Sequence, residues 1–269
     1  MRKIVLALLL VVILFPVYWM VVGSFKTQAT IMDLPGLWPT EITLSNYTQL
    51  LSPLYPFLVT GVKNGLIVTL ATACVCLPIS TLAAYGLSRF RFSGQHSILL
   101  GIMGTQIFPG VVLVLSFYIF YGELGWLNTY FGLVLAYTGF TIPFAVWLLK
   151  GFFDDLPEEL IDAVLIDGGT RLTALRLVAL PLIMPGVLAT FMFIFLVSWD
   201  EFLYSLTLTT TNDMRTMAPA IIMTFYSRYN YRWGPMMAAS IVVSIPVLVM
   251  FLFLQKYLIK GLTAGAVKG

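Results

Sequence analysis

The chain has 269 residues, 59% of them hydrophobic and only 10% charged, with a mean hydropathy of +0.95. Soluble domains carry roughly 25% charged residues, so this chain has too little polar surface to cover a water-soluble fold, and lipid is the solvent its composition fits. A formal net charge of +3 gives no reason to invoke nucleic acid.

Charge-free runs of about 20 residues are long enough to cross a hydrocarbon core of roughly 30 Å as a helix. The sequence predicts an all-α integral membrane protein with six spans, at about 4–25, 65–87, 98–120, 130–149, 182–203 and 233–255, the fifth free of charge as far as Trp199. The opening Met1-Arg2-Lys3 and its apolar run resemble a secretory signal, but no small-residue cleavage site follows, so the run is read as the first span. Six spans put both termini on one side. Loops rich in Lys and Arg stay in the cytoplasm, and an inside amino terminus leaves ten of the fifteen basic residues inside, against Lys26, Lys63, Arg215, Arg228 and Arg232 outside. Both termini are therefore expected in the cytoplasm.

Each span carries a proline: Pro16, Pro78, Pro109, Pro143, Pro185 and Pro246. Such residues bend helices and free carbonyls that water or neighbouring helices must satisfy. After the first span, Ser24 to Asn64 holds Pro35, Pro39, Pro53 and Pro56, and reads as an extended outer loop with one short helix near Tyr47 to Leu51. Cys74 and Cys76 sit two apart in the second span, where packing is their expected role, and one histidine, His96, cannot assemble a zinc site with them.

The inner loop from Lys150 to Pro181 differs in kind, with six of the chain's twelve acids: Asp154, Asp155, Glu158, Glu159, Asp162 and Asp167. Asp155 and Glu158 have the spacing of a capping box, Pro157 suits a first helical turn, and Asp167-Gly168-Gly169 supplies a glycine stop. A short helix is expected at about 156–168, apolar on Leu160, Ile161 and Val164. It is too short to span, and its pattern suits a protein groove or an amphipathic helix resting on headgroups. Helical spacing resumes from Thr173 to Leu180, ahead of Pro181 and Pro185. On the outer side, Ala218 to Thr224 reads as a short re-entrant helix, and Phe225, Tyr226, Tyr229, Tyr231 and Trp233 as an interfacial aromatic belt.

The run Pro157-Glu158-Glu159-Leu160-Ile161-Asp162-Ala163-Val164-Leu165-Ile166-Asp167-Gly168-Gly169 resembles the cytoplasmic signature loop of ABC-importer permeases. Asp162, Val164 and Gly169 depart conservatively from the usual pattern. Further marks point to the carbohydrate branch and the smaller maltose-type permease. They are Ser24-Phe25-Lys26, Leu44-Ser45-Asn46-Tyr47, Leu82 to Arg89, Trp199-Asp200-Glu201-Phe202 and the terminal Gly261 to Gly269. The resemblance implies a prokaryotic inner-membrane sugar importer with a second permease, two ATPase subunits and an extracytoplasmic solute-binding protein. Glu159, Asp162, Ala163, Asp167, Gly168 and Gly169 would then couple the chain to an ATPase. The tail 261–269, with no core to form, would contact a partner.

Substrate would pass residues able to hydrogen-bond or stack on a sugar: Gln106, Tyr137, Trp199, Asp200, Glu201, Tyr204 and Ser205. Asp200 and Glu201 lie about 18 residues, or roughly 27 Å, from Leu182, near the outer interface. They bind a sugar hydroxyl or pair with Arg215, Arg228 or another helix. The dipeptide Gly-Lys of a phosphate-binding loop does not occur, so ATP and Mg are expected in the partner ATPases, with no cofactor here. The rival reading, an ion-coupled secondary transporter or channel, lacks carboxylates in the interior of the first four spans. No nucleophile and base pair suggests an enzyme.

Overall fold

The computed structural model describes residues 2–33, 36–51, 55–225 and 231–266, with backbone alone at 33, 56–57 and 257–266. Among the described residues every regular element is helical. Helix α1 (Arg2–Ser24) continues through Pro16. The outer segment holds two short helices, α2 (Gln28–Asp33) and α3 (Ser45–Leu50), and already begins α4 (Pro56–Arg89). The expectation of one short helix there is thus too sparse. Pro56 starts α4 where a first-turn residue needs no N–H. Pro35 and Pro53 lie outside the described residues.

The third span is not one straight helix over 98–120. Helix α5 (Gln95–Gly104) runs through a 3-10 turn at Thr105–Ile107 and meets α6 (Gly110–Leu124) at a 90° bend. The cause is local: Pro109 disfavours the helical region for the residue before it, and Phe108 is extended at φ −71°, ψ 128°. Helix α7 (Tyr130–Asp154) accommodates Pro143 and starts beneath Thr129, whose hydroxyl accepts from Gly132 N at 3.0 Å.

Helices α8 (Glu158–Ile166) and α9 (Arg171–Ala174) follow, then a π-helical stretch at Leu175–Ala179, α10 (Leu180–Leu182) and α11 (Met184–Trp199). Pro181 has no N–H for the Leu177 carbonyl, and the ladder widens there: Leu180 N–H reaches back to Leu175 O. Between α10 and α11 the axis turns by 78° at Ile183, two residues before Pro185. Helix α11 ends at Trp199, and Asp200 to Phe202 separate it from α12 (Leu203–Leu208). Helix α13 (Met217–Phe225) covers the expected re-entrant segment. Helix α14 (Trp233–Ala266) extends into the stretch read as a tail with no core to form, while Tyr226, Arg228, Tyr229 and Val267 to Gly269 lie outside the described residues.

Among the described residues four helices are long and apolar enough to cross a membrane, or up to six if each bent pair is one span. The chain divides into two compact units, residues 1–64 with 211–247, and 65–210 with 248–269. In the first, Leu50, Tyr55, Leu58, Met217, Ile221 and Phe225 form a core. Buried Asn46 donates to the Ser24 and Lys26 carbonyls at 2.8 Å each, and a Cβ on Gly234 would come within 2.7 Å of its amide. That close approach explains the Asn46 and Ser24-Phe25-Lys26 marks as one structural knot.

In the second unit, one core joins Tyr85, Val146, Leu149, Phe153, Ile161, Leu175 and Ile183, from α4, α7, α8 and the π-helical connection. Another joins Val68, Leu133, Tyr137, Tyr204 and Leu208. Cys76 packs with Ala73, Ala145 and Ile194 as expected, whereas Cys74 is exposed on its helix.

Candidate functional site

Helix α8 is stopped as the sequence predicts and started differently. Gly168 takes φ +80°, Gly169 N–H bonds Val164 O at 2.8 Å and Gly168 N–H bonds Leu165 O at 3.1 Å, the paired closure of a Schellman stop. Gly169 is needed too, since a Cβ there would lie 2.6 Å from Val164 Cγ1 and 2.8 Å from Val164 O. No capping box forms: Asp155 closes α7, and Pro157, at φ −55° and ψ 132°, precedes α8 without any side-chain cap. Glu158 and Glu159 in the first turn still favour the positive end of the helix dipole.

The faces of α8 are unequal. Ile161 is buried in the core that holds α4 and α7, and Val164 packs against it. Glu159, Asp162, Ala163, Asp167 and Gly168 are all exposed or partly so on the outer side, with Ile166 at 85% exposure beside them. Leu160, expected on the buried face, is 40% exposed. Residues 159, 162, 163 and 166 follow helical i, i+3, i+4, i+7 spacing, so they form one outward stripe, acidic with an apolar centre.

Arg89 anchors this helix. From the end of α4 its guanidinium donates to Leu156 O at 2.7 Å and to Phe153 O, tying the turn into α8 to the span. Ser88 Oγ donates to Asp154 at 2.7 Å, Lys150 Nζ pairs with the same carboxylate at 2.6 Å, and Tyr85 OH donates to Arg171 O at 3.1 Å. In sequence, Leu82 to Arg89 stand out as a family mark without assigning Arg89 this role. A basic residue at the inner end of a span reads as ordinary charge bias, and only the fold reveals which carbonyls it meets.

The candidate substrate residues divide. Gln106, Glu201 and Tyr204 share a cavity of about 420 Å³, with Thr105, Phe108, Phe117, Gly139 and Phe140 also on its walls. Glu201 Oε1 accepts from Tyr204 N at 2.8 Å, and Oε2 accepts from Ser205 N at 2.9 Å and from Tyr137 OH at 2.8 Å. Its carboxylate therefore caps the first turn of α12 and, through Tyr137, bonds another helix, α7, one of the partners considered for it; Arg215 turns to Asn212, and Arg228 lies outside the described residues. Tyr137 stands behind Glu201, fully buried. Gln106 Nε2 donates to Phe140 O at 2.8 Å. Pro143 deprives Gly139, on the cavity wall, of its helical donor. Trp199 is not on that wall: it stacks on Phe195 at 5.8 Å and fits over Gly65, where a Cβ would meet its ring at 3.2 Å. Asp200 is exposed at the end of α11. Phe117 and Phe140, which touch Tyr204 with ring centroids at 6.0 and 5.3 Å, went unnoticed in sequence because aromatics are common in apolar spans. Among the described residues no three His, Cys, Asp or Glu side chains gather in a way that could hold a metal ion.

The fold is similar to that of a solved bacterial ABC transporter involved in the import of the acidic polysaccharide alginate. The two match with a TM-score of 0.82 over 95% of this chain and 94% of that one, at 20% identity. The chain belongs to the family of binding-protein-dependent transport system inner membrane components, whose model matches residues 76–264. It is similar to the trehalose/maltose transport system permease protein MalG of Thermococcus litoralis, 37% identical over 97% of this chain and 94% of that protein. It also resembles the diacetylchitobiose uptake system permease protein DasC of Streptomyces coelicolor, 35% identical over 96% of this chain and 92% of that protein. The chain is thus an inner-membrane component of a binding-protein-dependent transport system, and the ion-coupled carrier is not favoured.

Proposed function

We propose that this chain is one of two permease subunits of an ATP-driven sugar importer, with six spans at about 4–25, 65–87, 98–120, 130–149, 182–203 and 233–255 and both termini in the cytoplasm. The observation that carries the reading is α8: a helix locked into the bundle by Ile161 and Arg89 and presenting Glu159, Asp162, Ala163 and Asp167 outward. A docked ATPase would move α8 as one body with the π-helical connection into α11, because Ile161, Leu175 and Ile183 share a core. Gly168 and Gly169 keep the docking face compact by ending the helix sharply.

ATP and Mg are used by two separate ATPase subunits, and this chain hydrolyses nothing. A second permease completes the pathway and an extracytoplasmic binding protein delivers the solute. The sugar assignment rests on what MalG and DasC are named for, and on a cavity that combines aromatic rings with Gln106, Thr105 and Tyr204, the mixture a carbohydrate needs. Gln106 and Tyr204 are the residues best placed to meet it. Glu201 and Tyr137 hold that wall in shape.

Crosslinking tests the docking face. With Ala163→Cys in the assembled transporter, a thiol crosslinker is expected to join this chain to an ATPase subunit, with a yield that changes on adding ATP. Labelling of the introduced thiol by a small maleimide with no crosslink in either nucleotide condition would reject the docking.

A further inference from the structure

A second charged feature lies beside α8 and shares Asp162 with its outward stripe. A cavity of about 370 Å³ is lined by Arg89, Phe90 and Arg91 at the end of α4, by Glu158, Ile161 and Asp162 of α8, and by Arg171 at the start of α9. Three guanidinium groups face two carboxylates there. Glu158 is engaged by Arg91 at 3.4 Å, across side chains that are 63% and 88% exposed. Arg89 and Arg171 have no carboxylate partner among the described residues. Arg89 gives its Nη2 to carbonyls and keeps a buried Nε with no acceptor. Arg171 stacks over the Phe90 ring at 4.9 Å and reaches only the Arg89 carbonyl, at 3.5 Å.

Two fixed guanidinium groups short of anions, opposed by Asp162 alone, suit an oxyanion with several acceptor oxygens, and arginine forks match phosphate geometry. The surroundings say which phosphate. Arg89, Phe90 and Arg91 of the cavity lining lie at the end of α4, just before α5 begins. Phe90 and Phe92 are each 44% exposed there, and the flanking helix faces expose Ile79, Leu82, Ile98 and Leu100. Half-exposed aromatic rings below an apolar helix surface mark a membrane interface, and basic pockets between spans at that depth bind anionic headgroups. A free phosphate would use the arginines and leave the apolar faces idle.

We propose that the Arg89, Arg91 and Arg171 cavity binds the phosphate of an anionic phospholipid, whose acyl chains lie along the exposed faces of α4 and α5. The bound headgroup bridges the end of α4 and the start of α9 across the base of α8, so lipid occupancy stiffens the mount of that helix. The cavity shares Asp162 with the docking stripe of α8, but lipid retention is read without ATP or transport, so a failure of the lipid site and a failure of the coupling role are told apart.

Native mass spectrometry of the delipidated transporter, as purified with its partners, tests it by titration with phosphatidylglycerol, phosphatidylcholine or inorganic phosphate. Phosphatidylglycerol is expected to be retained at one tight site on this chain and phosphatidylcholine to be lost. Arg171→Gln and Arg91→Gln, both at exposed side chains, are each expected to weaken retention about fivefold, the share of one basic residue at a lipid surface. Equal retention of the two lipids, or retention unchanged in both variants, overturns the site. Displacement of phosphatidylglycerol by millimolar inorganic phosphate overturns the lipid as its occupant.

Discussion

Gly168 sits at φ +80°, and its N–H closes the stop of α8 on Leu165 O at 3.1 Å. Proline fixes φ near −65°, so Gly168→Pro demands a rotation of about 145° and deletes that N–H. It also drives Asp167, now at φ −74° and ψ 9°, toward extended backbone. Alanine keeps the N–H and meets only the left-handed penalty, about 1–2 kcal/mol, which shifts the balance between a closed and a frayed last turn roughly 5- to 30-fold. Asparagine tolerates that conformation and leaves the stop nearly intact. Helix α8 has only nine residues, too few to persist without its ends and its packing. Fraying would remove Ile166 and Asp167 from the docking stripe. ATP-driven uptake into proteoliposomes should therefore fall in the order asparagine, alanine, proline, with membrane insertion unchanged throughout. Import by Gly168→Pro at the rate of the native chain would refute the argument.

Glu201→Gln should lower the melting temperature of the purified complex. One amide oxygen cannot replace a carboxylate that accepts from Tyr204 N, Ser205 N and Tyr137 OH, and charge-assisted bonds of this kind stabilise by about 1.5–3 kcal/mol. Tyr137→Phe removes one of the three, and a loss of about 1 kcal/mol is expected. A Glu201→Gln chain that melts normally but fails to transport would show instead that the carboxylate contacts substrate. Gly186→Val should reduce the yield of folded transporter, because a Cβ at Gly186 would lie 2.3 Å from the Phe152 ring and overpacking costs about 1–3 kcal/mol. Adding Phe152→Leu should recover part of that yield, and no recovery would locate the strain elsewhere.

Much of the fold is legible because lipid demands long charge-free runs, and α1, α4, α7 and α14 are each long and apolar enough to cross a membrane. What sequence could not separate is a proline that a helix absorbs from one that breaks it. Pro78 and Pro143 lie inside continuous helices, while Pro109 and Pro185 stand at bends of 90° and 78°. The outcome depends on whether neighbouring helices hold the chain straight against the local preference. At α8, the stop was readable, since two consecutive glycines after Asp167 encode a backbone shape. The start was not, because Asp155 has equal claim to end α7. The cavity was half legible: polar Gln106, Glu201 and Tyr204 stand out in apolar spans and do meet. Trp199 looked equally prominent and turned into the core against Gly65.

The reading as an ATP-powered permease is tested most directly by purifying the tagged chain from its native membranes in mild detergent and counting its companions. One second permease and two ATPase subunits per chain are predicted, with ATP hydrolysis stimulated by a loaded binding protein. A chain recovered alone that moves solute across a bilayer without ATP would contradict it.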